Sequence, residues 1–136
     1  MRKIIGAAAL TLALVGLLSA AAYEELASPH DIMEMVQKPA MDRLAAMKKA
    51  GGPQNEKDWE KSKAAASILA ESTQLLMMGK RVKDDVWSDG AAQVIAAAKA
   101  TMTASGSHDM AAWNAGLAGL GKGCRGCHKA HKPKKK

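Results

Sequence analysis

The residues best suited to chemistry in this sequence lie close together near its C-terminal end. Cys124 and Cys127 are the only two cysteines, and His128 directly follows the second. A C-x-x-C-H run is the pattern for covalent haem attachment, in which each thiol adds to a vinyl group. On a helix this spacing puts both sulfurs on one side, about one turn apart, and the histidine can ligate the iron. The sequence therefore predicts one haem c, held by Cys124 and Cys127, with His128 as an axial iron ligand.

Three other uses of a cysteine pair fit this chain less well. A thioredoxin-like redox motif belongs in a β–α–β context, and no convincing strand pattern precedes Cys124. A structural zinc site needs four Cys or His ligands, and the sequence offers no second pair at finger-like spacing. A disulfide would leave His128 without a role. Haem attachment is the interpretation that uses all three residues.

The N-terminus has the three parts of an export signal. Residues 1–3 are basic, residues 4–18 are apolar, and small residues at 19–22 suit a signal peptidase, so we expect cleavage after Ala22. The apolar run is also about long enough to span a bilayer, but its alanine content and cleavage site favour removal over a retained anchor. Covalent haem attachment takes place outside the cytoplasm. Signal and motif therefore predict the same location, the periplasm, without stable membrane insertion.

Cleavage at this site would leave 114 residues, from Tyr23 to Lys136, which is the length of one domain. The loss of Arg2 and Lys3 lowers the formal net charge from +7 to +5, and five lysines fall within residues 129–136. The basic character is therefore mainly that of a C-terminal tail. Such a tail could steer an acidic redox partner or touch anionic lipid. The sequence has no basic stripe with interleaved aromatics, so it gives no indication of nucleic-acid binding.

Four amphipathic helical patterns fill the predicted mature chain, with turn signals between them. The first extends from the capping residue Ser28 to about Lys49, and Pro39 predicts a kink or a new start within it. The others cover about 55–79, 85–106 and 107–132. Four helices of roughly 20 residues with short loops predict an all-α fold, an antiparallel four-helix bundle.

Helical spacing assigns an inner face to each pattern. These faces contain, in order, Met33, Val36, Ala40, Leu44 and Met47, extended backwards by Leu26 and Pro29; Trp59, Ala66, Ala70, Thr73 and Met77; Trp87, Ala91, Val94, Ala98 and Thr101; and Trp113, Leu117, Leu120, Cys124 and Cys127. Because the two cysteines continue the fourth face, we expect the haem to lie inside the bundle.

The sixth position of the iron must be filled from another helix or stay open. Four side chains on the first helix have suitable chemistry: His30, Met33, Met35 and Met41. A methionine thioether raises the reduction potential and suits electron transfer. Met33 lies on the inner face, where it could equally be a core residue. Met35 is rotated from Met33 by about 200°, so it should face away unless Pro39 resets the phase.

Three further polar residues could lie near the haem or on the surface. Arg125 could contact a haem propionate, together with nearby lysines, or be solvated. His131 could stack near the haem edge or be solvated. His108 is expected on the surface at the start of the fourth helix, where a cation is unfavourable.

With these residues assigned, the chain resembles a class II c-type cytochrome. That family carries C-x-x-C-H near the C-terminus of an exported four-helix bundle. The stretches at 29–33 (PHDIM), 86–89 (VWSD) and 123–132 (GCRGCHKAHK) are similar to recurring patterns in its low-spin branch. The resemblance implies that Met33 is the sixth ligand and that the protein shuttles electrons. Homodimers are common in that family, and the sequence does not decide whether this chain forms one.

The other branch of that family, cytochrome c′, leaves the sixth position open and binds nitric oxide or carbon monoxide. It commonly has an aromatic residue and an arginine three and four residues after the haem histidine, where this chain has His131 and Lys132. We therefore predict a periplasmic electron carrier that passes electrons to a redox partner protein. The alternatives are a five-coordinate gas-binding protein and, less favoured, a redox sensor. No general acid–base or nucleophile constellation is visible, so no enzyme activity is expected.

Overall fold

The structure, a computed structural model, describes residues 24–132. The predicted export signal at 1–22 and the end of the basic tail at 133–136 lie outside the described residues. Within 24–132 the secondary structure is helical and contains no strand, as the sequence predicts. The helical elements are α1 (Pro29–Ile32), a π-helical segment (Met33–Gln37), α2 (Lys38–Lys49), α3 (Glu56–Leu75), a 3₁₀ turn (Gly79–Arg81), α4 (Asp85–Ser107) and α5 (Met110–His131).

Four helices pack together, and α1, the π segment and α2 form the first of them as one continuous path. Each of the four begins at a side chain that caps its first turn. Ser28, Asn55, Asp84 and Asp109 each accept a hydrogen bond from the backbone N–H three residues later, at 2.9–3.1 Å. Such caps satisfy N–H groups that have no partner within the helix.

The last boundary differs from the prediction, because α5 begins at Met110 rather than at Ser107. His108 adopts a left-handed conformation, with φ of 55°, and terminates α4. Its ring stacks on Trp59, with centroids 5.2 Å apart, and its Nε2 lies 3.2 Å from a Glu56 carboxylate oxygen. The histidine expected at a helix start is therefore a helix end that ties the loop between α4 and α5 to α3.

The long helices run antiparallel to their neighbours. Ser62 on α3 hydrogen-bonds Ser105 on α4 at 2.9 Å, and the Trp87 indole N–H at the other end of α4 donates to the Leu76 carbonyl at 2.8 Å. Between α4 and α5, close approaches occur at Gly90 with Cys127, Gly123 with Val94, Gly119 with Ala97, and Gly116 with Thr101. A Cβ added at any of these glycines would lie 2.3–2.9 Å from the facing helix, so the two backbones approach closely here.

The core divides into a large cluster and a smaller one near the cysteines. The large cluster surrounds Trp113, whose indole N–H donates to Ser62 Oγ at 2.7 Å, and includes Leu44, Leu69 and Leu120. The smaller one, here called the end cluster, consists of Ile32, Leu76, Trp87 and Cys127. The inner faces predicted for α4 and α5 are buried, apart from Cys124, which is half-buried.

The inner face of the first helix is only partly as predicted. Val36 and Leu26 were expected inside, but they are 41% and 84% exposed. Ile32, at 4% exposed, and the half-buried Gln37 face inwards instead. A continuous α-helix would put Ile32 and Leu44 about 120° out of phase, since each residue advances by about 100°.

The π segment corrects this phase. The Lys38 N–H donates to the Met33 carbonyl, five residues back, so this turn contains one residue more than an α-helical turn. The extra residue absorbs about 100°, and Ile32 and Leu44 then share one face. Pro39, the second residue of α2, has no N–H to donate to Met35, which explains why the interruption falls here. The second predicted helix also ends early, at Leu75, before the left-handed Gly79.

Candidate functional site

The C-x-x-C-H residues lie on the last turns of α5, where this helix passes the start of α4. Cys127 is buried in the end cluster, Cys124 is half-buried, and His128 is on the more exposed flank. The lack of a side chain at Gly90 makes room for Cys127, because a Cβ at Gly90 would lie 2.8 Å from that of Cys127. The two thiols are free rather than joined as a disulfide.

Two cavities meet beside these residues and share the lining residues Met33, Glu34, Trp87 and His128. The inner cavity, of about 300 Å³, extends into the bundle between the first helix, α4 and α5. Its other lining residues include Gln37, Met41, Thr73, Val94, Cys124 and Cys127. The outer cavity, of about 820 Å³, opens towards residues 25–30 and the 3₁₀ turn. Both volumes fall in the range of about 300–1,000 Å³ that is usual for small-molecule sites.

The candidates for the sixth ligand are distributed unequally over these cavities. Met33 lines both cavities and packs against the end cluster. Met41 lines the inner cavity and His30 the outer one. Met35 lines neither cavity and is 74% exposed. The structure thus brings Met33, Cys124, Cys127 and His128 to one inner cavity and leaves Met35 outside it.

Burial shifts the titration of the motif residues. It raises the pKa of Cys124, with a further contribution from neighbouring Cys127, and it raises the pKa of Cys127 despite the opposing charge of Lys83. Burial also lowers the pKa of His128, helped by Lys132. A neutral imidazole is the form that ligates iron, whereas the thiols lack the lowered pKa of a thioredoxin-like redox pair.

Basic side chains surround the outer cavity, and the sequence alone does not reveal them as a group. Lys80, Arg81 and Lys83 come from the connection between α3 and α4, and Lys132 comes from the end of α5. Arg81 is buried and donates to the carbonyls of Ala27 and Leu75 at 2.9–3.3 Å. It therefore joins the segment before α1 to the end of α3 and forms a wall of this cavity.

Arg125, for which a propionate contact and solvation were both left open, lines neither cavity. It is exposed, and its guanidinium lies back along α5 over Gly121. The basic side chains that line the outer cavity are instead Lys80, Arg81, Lys83 and Lys132.

His131 joins the end of α5 to the start of α4. Its Nε2 lies 3.0 Å from a carboxylate oxygen of Asp84, and its ring meets the Trp87 indole edge-on with centroids 5.6 Å apart. Asp84 also caps α4, and the hydrogen bond from the Trp87 N–H is the largest cause of its lowered pKa, with His131 contributing further. The structure thus gives His131, which lines the outer cavity, a polar contact with Asp84 that the sequence did not indicate.

The residues around the inner cavity fit a covalently held haem. Two thiols and a neutral imidazole lie on adjacent turns of one helix, a thioether lies on the wall formed by the first helix, and much of the remaining lining is apolar. Among residues 24–132, no three side chains of His, Cys, Asp or Glu converge as they would at a metal site of another kind. None of the helices in that part of the chain is long and apolar enough to cross a membrane.

No protein-family model, curated protein sequence or solved structure matches the chain. The resemblance to class II cytochromes therefore rests on the sequence motifs alone.

Proposed function

We propose that this protein is an exported electron carrier with one haem c, bound through Cys124 and Cys127 and ligated by His128 and Met33. The observation that carries the proposal is that these four residues line one cavity although Met33 is about ninety residues away in sequence. Two thiols, an imidazole and a thioether form the donor set of a His/Met-ligated haem c.

The roles of these residues follow from their positions. When bound, the haem supplies an iron that gains and loses one electron. His128 and Met33 are neutral ligands on two helices of the bundle that line one cavity, so little movement is needed when the charge of the iron changes. Much of the lining of the inner cavity is apolar. Neutral ligands and a low-dielectric lining both favour the reduced state, which raises the reduction potential.

The alternative function is gas binding by a five-coordinate iron, and one observation favours it. The inner cavity continues past Met33 to Gln37, Thr73 and Met41, which leaves room for a diatomic ligand if Met33 remains a core residue. The two functions differ in whether carbon monoxide must displace a protein ligand.

The proposal is tested by the mass and the carbon monoxide reactivity of the protein, produced in cells that attach haem c. The denatured wild type should retain the mass of one haem, and a C124S/C127S variant should lose it. In the reduced state, Met33→Ala should bind carbon monoxide at once, because its sixth position is open. The matched Met35→Ala variant should behave as the wild type does. The opposite pattern, with Met35→Ala opening the site, would refute the ligand assignment.

A further inference from the structure

The π-helical segment begins at the methionine that is proposed to ligate the iron. The Met33 carbonyl accepts the π-type hydrogen bond from the Lys38 N–H, so the backbone of Met33 is part of the extra-wide turn. Met35 and Val36, within the same turn, face solvent. A π turn is less favourable than an α turn and occurs mostly as a short insertion, frequently at functional sites. The burial of Ile32 and Leu44 favours this register, and an interaction of the segment with a neighbouring helix adds to it.

Gln37, the last residue of the segment, makes such an interaction. Its side-chain amide donates to Thr73 Oγ1 on α3 at 2.9 Å, and that hydroxyl donates onward to the Leu69 carbonyl at 2.6 Å. Thr73 is 2% exposed, so the acceptor is fixed in the core. Among the described residues, this is the one side-chain hydrogen bond between the π segment and a neighbouring helix.

The bond lies in the same inner cavity as the thioether. Gln37 and Thr73 line this cavity together with Met33, Cys124 and His128. The bond therefore joins the wall that carries the proposed sixth ligand to α3, a helix that contributes no ligand. If it were lost, the π turn could relax to an α turn, and Met33 would rotate by about 100° relative to α2.

We propose that Gln37 is a positioning residue for Met33, acting through its hydrogen bond to Thr73. The bond keeps the π turn in register, and the π turn keeps the thioether directed at the iron position. This inference rests on the proposed His128/Met33 ligation. It assigns a role to Gln37 and Thr73, two uncharged polar residues that are not themselves iron ligands.

The test measures the rate at which carbon monoxide binds to the reduced holoprotein, since a protein ligand must leave before the gas can bind. Gln37→Leu removes the donor at similar size, and Thr73→Val removes the acceptor. Each should increase the rate about three- to tenfold, the effect of losing one hydrogen bond of ordinary strength. Each should also weaken the long-wavelength absorption band that methionine ligation produces in the oxidised state.

The double variant Q37L/T73V should bind the gas no faster than the faster single variant, because both substitutions remove the same bond. Thr73→Ser keeps the hydroxyl and should restore the wild-type rate. Gln74→Leu is the matched control, because Gln74 is an exposed glutamine whose amide donates to Ala70 within its own helix. Thermal melting of each variant checks that it is folded.

Two results would overturn the inference, and they differ from a failure of the proposed function. Gln37→Leu could bind carbon monoxide at the same rate as the wild type and Gln74→Leu, or the effects of Gln37→Leu and Thr73→Val could simply add. If instead the wild type bound the gas without displacing any ligand, the His/Met ligation would be wrong, and the positioning role with it.

Discussion

At the residue scale, Cys124, Cys127 and His128 can be recognised from sequence because their chemistry depends on local spacing. The preference for Met33 over Met35 also follows from sequence, since the two are half a turn apart on a helix. The other contacts around the site join residues distant in sequence. The Gln37–Thr73 bond and the His131–Asp84 pair span 36 and 47 residues, so no local pattern can reveal them.

The cap residue Asp84 lies where the start of α4 meets the end of α5, a contact here called the α4–α5 junction. It makes the stability of this junction dependent on pH in the acid range. Its folded-state pKa is lowered, so its ionised form stabilises the folded protein fully above the ordinary carboxyl pKa. This contribution disappears as the pH falls through the folded-state value. We expect the urea midpoint of the holoprotein to decrease between about pH 6 and about pH 2. Asp84→Asn, which caps but does not titrate, should show a smaller decrease.

The control for this prediction is Asp89→Asn on the exposed surface of α4, which should keep the wild-type pH dependence. If Asp84→Asn and the wild type lost stability in parallel across the acid range, the carboxylate of Asp84 would not stabilise this junction.

At the element scale, the first three helix starts were predictable because the capping side chains Ser28, Asn55 and Asp84 precede them. The fourth start was misplaced, because Asp109 and not Ser107 caps α5.

The rotational phase of the first helix was not predictable, because the position of Pro39 does not tell whether the helix kinks, breaks or contains a π turn. Ile32 and Leu44 can both be buried only if the helix between them contains one extra residue. The structure reveals this because it shows that both side chains are buried. The prediction that Val36 faces inwards was wrong for this reason.

Deletion of a single residue tests the π turn as an insertion. Deleting Val36 removes the extra residue, so an α-helical turn could keep Ile32 and Leu44 on one face. Deleting Arg43, an exposed residue of α2, would rotate Leu44 by about 100° relative to Ala40. We expect the Arg43 deletion to lower the free energy of unfolding by about 2–5 kcal/mol, the cost of losing a buried leucine. The Val36 deletion should cost clearly less.

Urea unfolding followed by circular dichroism measures both deletions. Equal losses of stability, or a larger loss on deleting Val36, would mean that the π turn does not arise from one extra residue in this helix.

The close contact between α4 and α5 gives a second prediction at this scale. Gly116→Ala would place a Cβ 3.1 Å from the Thr101 backbone and 2.3 Å from its hydroxyl oxygen. Because backbone atoms cannot yield cheaply, we expect a loss of about 1–3 kcal/mol in the free energy of unfolding. Gly106→Ala in α4, where the added Cβ would meet only the Lys63 side-chain nitrogen at 3.9 Å, should be neutral or stabilising by up to about 1 kcal/mol. Denaturant unfolding should therefore show a loss of stability for Gly116→Ala and no loss for Gly106→Ala.

At the scale of the whole molecule, the architecture followed from four amphipathic patterns joined by short loops. In an antiparallel bundle the beginning of the first helix and the end of the fourth lie at the same end. Met33 and Cys127 consequently line the same cavity, and the cavities lie beside the end cluster rather than in the large core around Trp113. The basic groups of the outer cavity were not predictable, because residues 80 and 81 reach the segment before the first helix through tertiary contacts.

The central claim is that Met33 and His128 ligate a haem held by Cys124 and Cys127. It is tested most directly by the absorption spectrum of the reduced wild-type protein before and immediately after mixing with carbon monoxide. We predict sharp low-spin haem bands that do not change on mixing. Bands that shift at once would contradict methionine ligation, and a protein without haem absorption, from cells able to attach haem c, would contradict the claim altogether.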